Sequence, residues 1–133
     1  MAKSLIQTAN QSPQTVAVNG IISPGTTIRR YGCNCRLVGN GIEIDGEGYY
    51  EIDGSVSIAP AAEGDVTVAL LADGVQIPGA IATASAAAAE DSVALPIVTT
   101  IRRTCCNGAT TLTCNLVEGP GTVSNISLRV VRS

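Results

Sequence analysis

Cysteines are the residues of this sequence best suited to chemistry, and there are five: Cys33, Cys35, Cys105, Cys106 and Cys114. They could form one or two disulfides with one cysteine left over, or pack as small buried hydrophobes. Zinc sites favour cysteine pairs separated by roughly two to four residues, which Cys-x-Cys and Cys-Cys spacing fit poorly. A nucleophilic thiol would have no histidine to activate it. Burial and disulfide formation therefore stay open as the two main alternatives.

Acidic residues cluster in a second stretch: Glu43, Asp45, Glu47, Glu51 and Asp53. Paired carboxylates can act as acid and base in glycoside hydrolysis, and oxygen-rich loops can hold Ca²⁺. The spacing is instead that of the solvated faces of a strand, a turn and a second strand. We therefore expect the edge of a hairpin, with a weak cation site as the alternative.

Two arginine doublets, Arg29-Arg30 and Arg102-Arg103, lie in segments that resemble each other. Residues 26–34 and 99–107 are identical at seven of nine positions. This predicts two strands in comparable places of two sheets, each followed by a bend with a cysteine; chance similarity of strand ends is the alternative. We expect the four arginines to form ion pairs, within or between subunits, with an acidic hairpin that contains Glu43, Asp45 and Glu47.

The composition excludes several classes of function. The 133 residues include no histidine, and their net charge is −3. Ser-His-Asp catalysis, Cys-His catalysis and histidine-ligated metal sites are thereby excluded, and a nucleic-acid surface would need a basic face. No apolar run is long enough to span a membrane, and the N-terminus lacks the apolar stretch of a signal peptide. We expect a structural or binding protein without enzymatic activity or cofactor.

Alternation of apolar and polar residues with period two recurs along the whole chain, for example in residues 66–70, 112–116 and 126–130. Turn signals such as Asp73-Gly74 separate these segments at intervals of roughly 8–15 residues, which indicates an all-β sandwich or barrel. The Ala-rich residues 80–91 are predicted to form a short strand and a loop, with a helical turn as the alternative. We expect residues 1–14 to be an N-terminal arm and residues 15–133 to be a single domain.

From Leu37 onward, the order of features resembles the jelly-roll of the C1q/TNF-like superfamily, which includes the C-terminal domains of collagen-like bacterial spore-surface proteins. Residues 48–52 match its Gly-x-Tyr-x-apolar signature, residues 66–74 resemble its long apolar strand and turn, and residues 123–131 resemble its last core strand. The chain lacks a collagen-like Gly-X-Y stalk and has fewer aromatic residues than the family. A receptor-ligand role of the animal kind is therefore not implied.

The resemblance implies an antiparallel sandwich of ten strands that assembles as a tight homotrimer, with one sheet of each subunit lining the axis. The small alternating residues 55–59 suit a closely packed contact between subunits. Assembly would also bury apolar area that a monomer of such small residues lacks. We expect Tyr49, Tyr50, Val56 and Ile58 at this contact, with core packing as the alternative for the tyrosines.

The sequence is similar to small jelly-roll proteins of bacteriophage virions, such as capsid decorations, head fibres and tail-tip adhesins. The leading expectation is a structural or adhesive trimer on a virion, with capsid or tail proteins or a bacterial surface receptor as partners. Residues 4–14 would then contact the particle or a neighbouring subunit. The alternatives are a structural protein of a bacterial spore coat or cell surface, and a lectin-like module, against which the absence of Trp and Phe counts.

Overall fold

A computed structural model of the chain describes residues 4–88, 92–103 and 108–132. These residues form strands and no helix, and therefore no helix that could cross a membrane. In chain order the strands are β1 (Ser4–Asn10), β2 (Gln14–Val16), β3 (Ile21–Ile22), β4 (Thr26–Tyr31), β5 (Cys35–Val38), β6 (Gly41–Ile44), β7 (Gly48–Pro60), β8 (Gly64–Ala72), β9 (Val75–Ala86), β10 (Val93–Arg103), β11 (Thr110–Glu118) and β12 (Gly121–Arg132).

The strands form two antiparallel sheets of six strands each. The first sheet has the order β10-β7-β12-β1-β4, with β2 beside β12, and the second has the order β5-β6-β11-β8-β9, with β3 beside β11. The two sheets make a jelly-roll sandwich, which confirms the predicted fold class. Two strands more than the ten implied by the resemblance occur in the described residues.

The core between the sheets is almost entirely aliphatic. Alternate residues of each long strand point inward, and those of β7 are fully buried from Tyr50 and Ile52 to Val56 and Ile58. Each such side chain stabilises the fold by roughly 1.5–3 kcal/mol. Because the sequence contains no Phe or Trp, Tyr50 is the largest side chain in this core.

The prediction of an N-terminal arm is wrong for Ser4–Asn10. This segment is β1, and it pairs with β12 on one side and with β4 on the other. Its inward residues are Ser4, Ile6 and Thr8, all fully buried. Two of these three are polar, so the period-two signal of apolar residues is missing from the sequence.

The repeated segments do not lie in two different sheets. Strand β4 contains Thr26–Tyr31 and forms one edge of the first sheet, whereas β10 contains residues 99–103 and forms the opposite edge of the same sheet. The strand predicted in the Ala-rich region is β9, which continues to Ala86. Residues 89–91 and 104–107 lie outside the described residues.

The turn between β8 and β9 shows how the sequence sets the strand pairing. Asp73 and Gly74 both have positive φ, at 51° and 85°. Two consecutive residues of this kind form the hairpin turn whose twist matches the flanking strands, and Asp-Gly adopts it readily. The Asp73 carboxylate also accepts a hydrogen bond from the backbone N–H of Thr111, at 3.0 Å, which connects the turn to β11.

Candidate functional site

The candidate site is the outer face of the first sheet, the face directed away from the second sheet. One half of this face lies around the C-terminal half of β7, and there small side chains occupy neighbouring strands. They are Ala9, Ser55, Ser57, Ala59, Ala94, Thr122 and Ser127. Such side chains let another protein surface approach the sheet closely.

The other half of the outer face carries larger side chains. Tyr31, Leu5, Val131 and Glu51 lie side by side on four adjacent strands, β4, β1, β12 and β7. Apolar surface is exposed on both sides of Glu51, since Val98 is 71% exposed, Tyr49 55% and Tyr31 53%. Exposed apolar groups that cluster on one face are typical of an interaction surface.

Three shallow cavities open on this face. The first, of about 350 Å³, lies beside the edge strand β4 and is lined by Ala9, Thr26 and Ile28. The second, also of about 350 Å³, lies at the centre of the sheet between Ser55 and Ser127. The third, of about 480 Å³, lies between two proline-containing segments, residues 59–61 and 120–122. The outer face is therefore indented along its length.

Charged groups on the outer face are few. Arg129 of β12 forms an ion pair with Asp53, its neighbour on β7. The Arg102 guanidinium lies over the ring of Tyr49, 5.8 Å from the ring centroid. Glu51 makes no ion pair or hydrogen bond through its carboxylate within the described part of the chain.

Three further arginines lie at the end of the sandwich where β10 and β12 finish, and they bind backbone carbonyls. Arg30 donates from Nε to the carbonyl of Cys35 at 2.7 Å, and Arg103 donates to the carbonyl of Gly108. Arg132 donates from Nε and Nη2 to the carbonyl of Glu47, at 3.0 and 2.6 Å. These contacts hold the loops at this end of the fold.

The hydroxyl of Tyr50 supports the same end of the sandwich. It lies 2.9 Å from the carbonyl oxygen of Asp45 and 3.0 Å from that of Gly46. Burial raises the pKa of Tyr50, and the positive charge of Arg132 opposes this shift. The neutral hydroxyl therefore persists as a donor to the turn between β6 and β7.

Within the described residues of one subunit, none of the four predicted arginines forms an ion pair with Glu43, Asp45 or Glu47. Glu43 pairs with Arg36 of its own subunit, which sequence reasoning did not name, although the two residues face each other across the β5–β6 hairpin. Arg29 and Arg102 lie at opposite edges of the outer face. For Asp45 and Glu47, the described hydrogen bonds involve backbone groups. Ion pairs between subunits stay a prediction.

The described cysteines are free thiols: Cys33 is exposed, while Cys35 and Cys114 are buried. Burial raises the pKa of Cys35 to about 11, against the opposing charges of Arg30 and Arg132, and the pKa of Cys114 to about 12. Both buried thiols are protonated at neutral pH and pack as small hydrophobes. Cys105 and Cys106 lie outside the described residues. Within the described part of the chain, no three acidic or thiol side chains are grouped as a metal site would require.

The expected contact residues need one correction. Tyr50, Val56 and Ile58 point into the core of their own subunit and have no exposed surface. Only Tyr49 is on the outer face, because it has the opposite parity along β7. Whether β7 contributes to a contact between subunits stays a prediction, but the side chains of Tyr50, Val56 and Ile58 face the wrong way for it. The small residues between the buried ones, Ser55 and Ser57, were the available signal.

Three solved structures illustrate the similarity in fold. The globular domain of zebrafish complement 1qA matches with a TM-score of 0.69 and 9% identity, over 97% of this chain and 98% of that one. Murine APRIL at pH 5.0 matches with a TM-score of 0.73 and 11% identity, over 99% and 100% of the two chains. PRD1 vertex protein P5 matches with a TM-score of 0.58 and 10% identity, over 98% and 96%.

Comparison by sequence adds no relative. No protein-family model matches the chain. No curated protein matches it either. The relationship to known proteins is therefore one of fold.

Proposed function

We propose, from the jelly-roll fold that this chain shares with C1q and TNF-family domains, that it is a non-enzymatic module that assembles as a homotrimer on the surface of a phage particle. The outer face of the first sheet would line the three-fold axis. Capsid or tail proteins, or a bacterial surface receptor, would be its partners.

The main support for a trimer is the composition and shape of the outer face. Small side chains cover one half of it, exposed apolar groups lie in the other half, and shallow cavities indent it. A stable interface of ordinary size buries roughly 800 Å² on each partner, which a face of five neighbouring strands can supply. Burying the exposed Val98, Tyr31 and Tyr49 would add apolar stabilisation that the monomer lacks.

The proposed location on a virion is supported by the similarity in fold to PRD1 vertex protein P5, a phage vertex protein. Mass spectrometry of purified particles tests this location. A chain that stays with the particles through density-gradient purification is the expected result. Recovery only from the soluble fraction of lysed host cells would contradict it.

The trimer is tested by light scattering coupled to size exclusion. The subunit mass is 13.5 kDa, so the expected mass is three times this value. Ser55→Arg places a long charged side chain at the centre of the outer face and should yield monomers. Ser85→Arg is the matched control, because Ser85 is exposed on the second sheet. Wild-type protein that elutes as a monomer would refute the trimer.

A further inference from the structure

Glu51 is an unpartnered carboxylate on the outer face of the first sheet. It lies between Val131 of β12 and Thr100 of β10, its neighbours in the sheet. No described cation is within ion-pair distance of it. A carboxylate that becomes buried without a partner is strongly unfavourable. If the proposed assembly covers this face, Glu51 requires a cation from another copy.

The β10 edge presents a suitable cation. Arg102 is on the outer face of β10, as Val98 is. Among the described residues, Val98 and Val75 are the most exposed of the large apolar side chains. Val75 begins β9, which packs against β10. This edge of the sandwich therefore has the most to gain from burial. The contact with Tyr49 keeps the Arg102 guanidinium on the outer face.

Three-fold symmetry would place the two groups at similar heights along the axis. A three-fold axis that runs along the strands carries each residue to the same height in the next copy. Glu51 is level with Thr100, and Arg102 lies two residues further along β10, about 7 Å away. A long arginine side chain can bridge that distance. We propose that Glu51 of each copy forms an ion pair with Arg102 of the next copy and so sets the register of the trimer. This inference rests on the proposed function.

Charge reversal tests the pair. In Glu51→Arg trimers two positive charges would meet at every contact, and in Arg102→Glu trimers two negative charges would meet. Each variant should raise the dissociation constant of the trimer at least tenfold. The double variant with both changes should return to near the wild-type value. Circular dichroism checks that each variant subunit is folded.

Mixing the two single variants separates a contact between copies from one within a copy. In a mixed trimer, two of the three contacts join opposite charges. In a pure trimer of either variant, every contact joins like charges. A tagged Glu51→Arg chain expressed with an untagged Arg102→Glu chain should therefore give mixed trimers above the random proportion. Random mixing would place the pair inside one subunit and overturn the inference.

Arg29→Glu is the matched control, because Arg29 lies in the same repeated motif at the opposite edge of the sheet. We expect it to leave the dissociation constant unchanged. If Arg29→Glu dissociates the trimer and Arg102→Glu does not, the assignment of the ion pair to the β10 edge is overturned. If the wild-type protein is a trimer and the Glu51→Arg variant forms an equally stable trimer, this inference alone is contradicted. A monomeric wild-type protein would contradict the proposed function as well.

Discussion

Cys114 provides a quantitative test of the core, because its thiol is buried within β11. Desolvation raises its pKa from 9.0 to about 12. The unfolded chain therefore releases this proton at lower pH than the folded chain does. The resulting stabilisation is complete below pH 9 and is lost as the pH rises towards 12. Each pH unit in this window lowers the free energy of unfolding by about 1.4 kcal/mol.

Removal of the thiol should reverse the order of stability between neutral and alkaline pH. At pH 7, Cys114→Ala should lower the free energy of unfolding by about 1 kcal/mol, since the volume of the sulfur atom is lost from the core. Between pH 9 and 11 the wild-type protein should lose roughly 2 kcal/mol through this thiol, and the variant should lose none of it. The two stability curves should therefore cross at about pH 10.

The assay is urea unfolding at several pH values from 7 to 11, in the presence of a reductant. Protein concentration is held constant, because the stability of an oligomer depends on it. Cys35, whose pKa burial raises to about 11, lowers the stability of both proteins at high pH, so only their difference is informative. Cys33→Ala, at the exposed thiol, controls for the substitution itself. A difference between wild type and Cys114→Ala that is the same at every pH would refute the reasoning.

Four further substitutions test two glycines of positive φ, the end of the sandwich and the surface. Gly25→Ala should cost about 3 kcal/mol in urea unfolding, because φ is +85° and a Cβ would meet the Ala9 carbonyl; Gly79→Ala, with φ of +81° and open space, should cost only about 1 kcal/mol. Tyr50→Phe should lower the free energy of unfolding by about 1–2 kcal/mol through the lost hydroxyl contacts, and an unchanged value would contradict their role. Arg36→Ala removes an ion pair whose arginine is 55% exposed and should change stability by less than about 1 kcal/mol; a larger loss would show that the pair is more than a surface contact.

The arginine repeat illustrates what a local comparison can reveal. Its two copies, in β4 and β10, form opposite edges of one sheet. Both strands run in the same direction, because three strands that alternate in direction separate them. The likeness of the segments predicted strands correctly, whereas the sheet in which they lie depends on pairing with β1 and β7, which are distant in sequence from the repeat itself.

The outer face of the first sheet also depends partly on a local sequence pattern and partly on contacts between distant segments. The alternation of residues 55–59 predicted a strand correctly, but which parity points outward depends on where the second sheet packs. Val56 and Ile58 face that sheet, so Ser55 and Ser57 face out. Glu51 belongs to this outer set, yet in the sequence it is one acid among the five of its stretch.

The sequence alone determined the all-β class, the turns and most strands, because period-two alternation and Asp-Gly turns depend on neighbouring residues only. It also determined that the core must be aliphatic, since Phe and Trp are absent. Tertiary structure decided that Ser4–Asn10 is an internal strand, which face of each strand is buried and which arginines bind loop carbonyls. These features arise from contacts between segments far apart in the chain, such as Glu47 with Arg132, and no local pattern encodes such pairings.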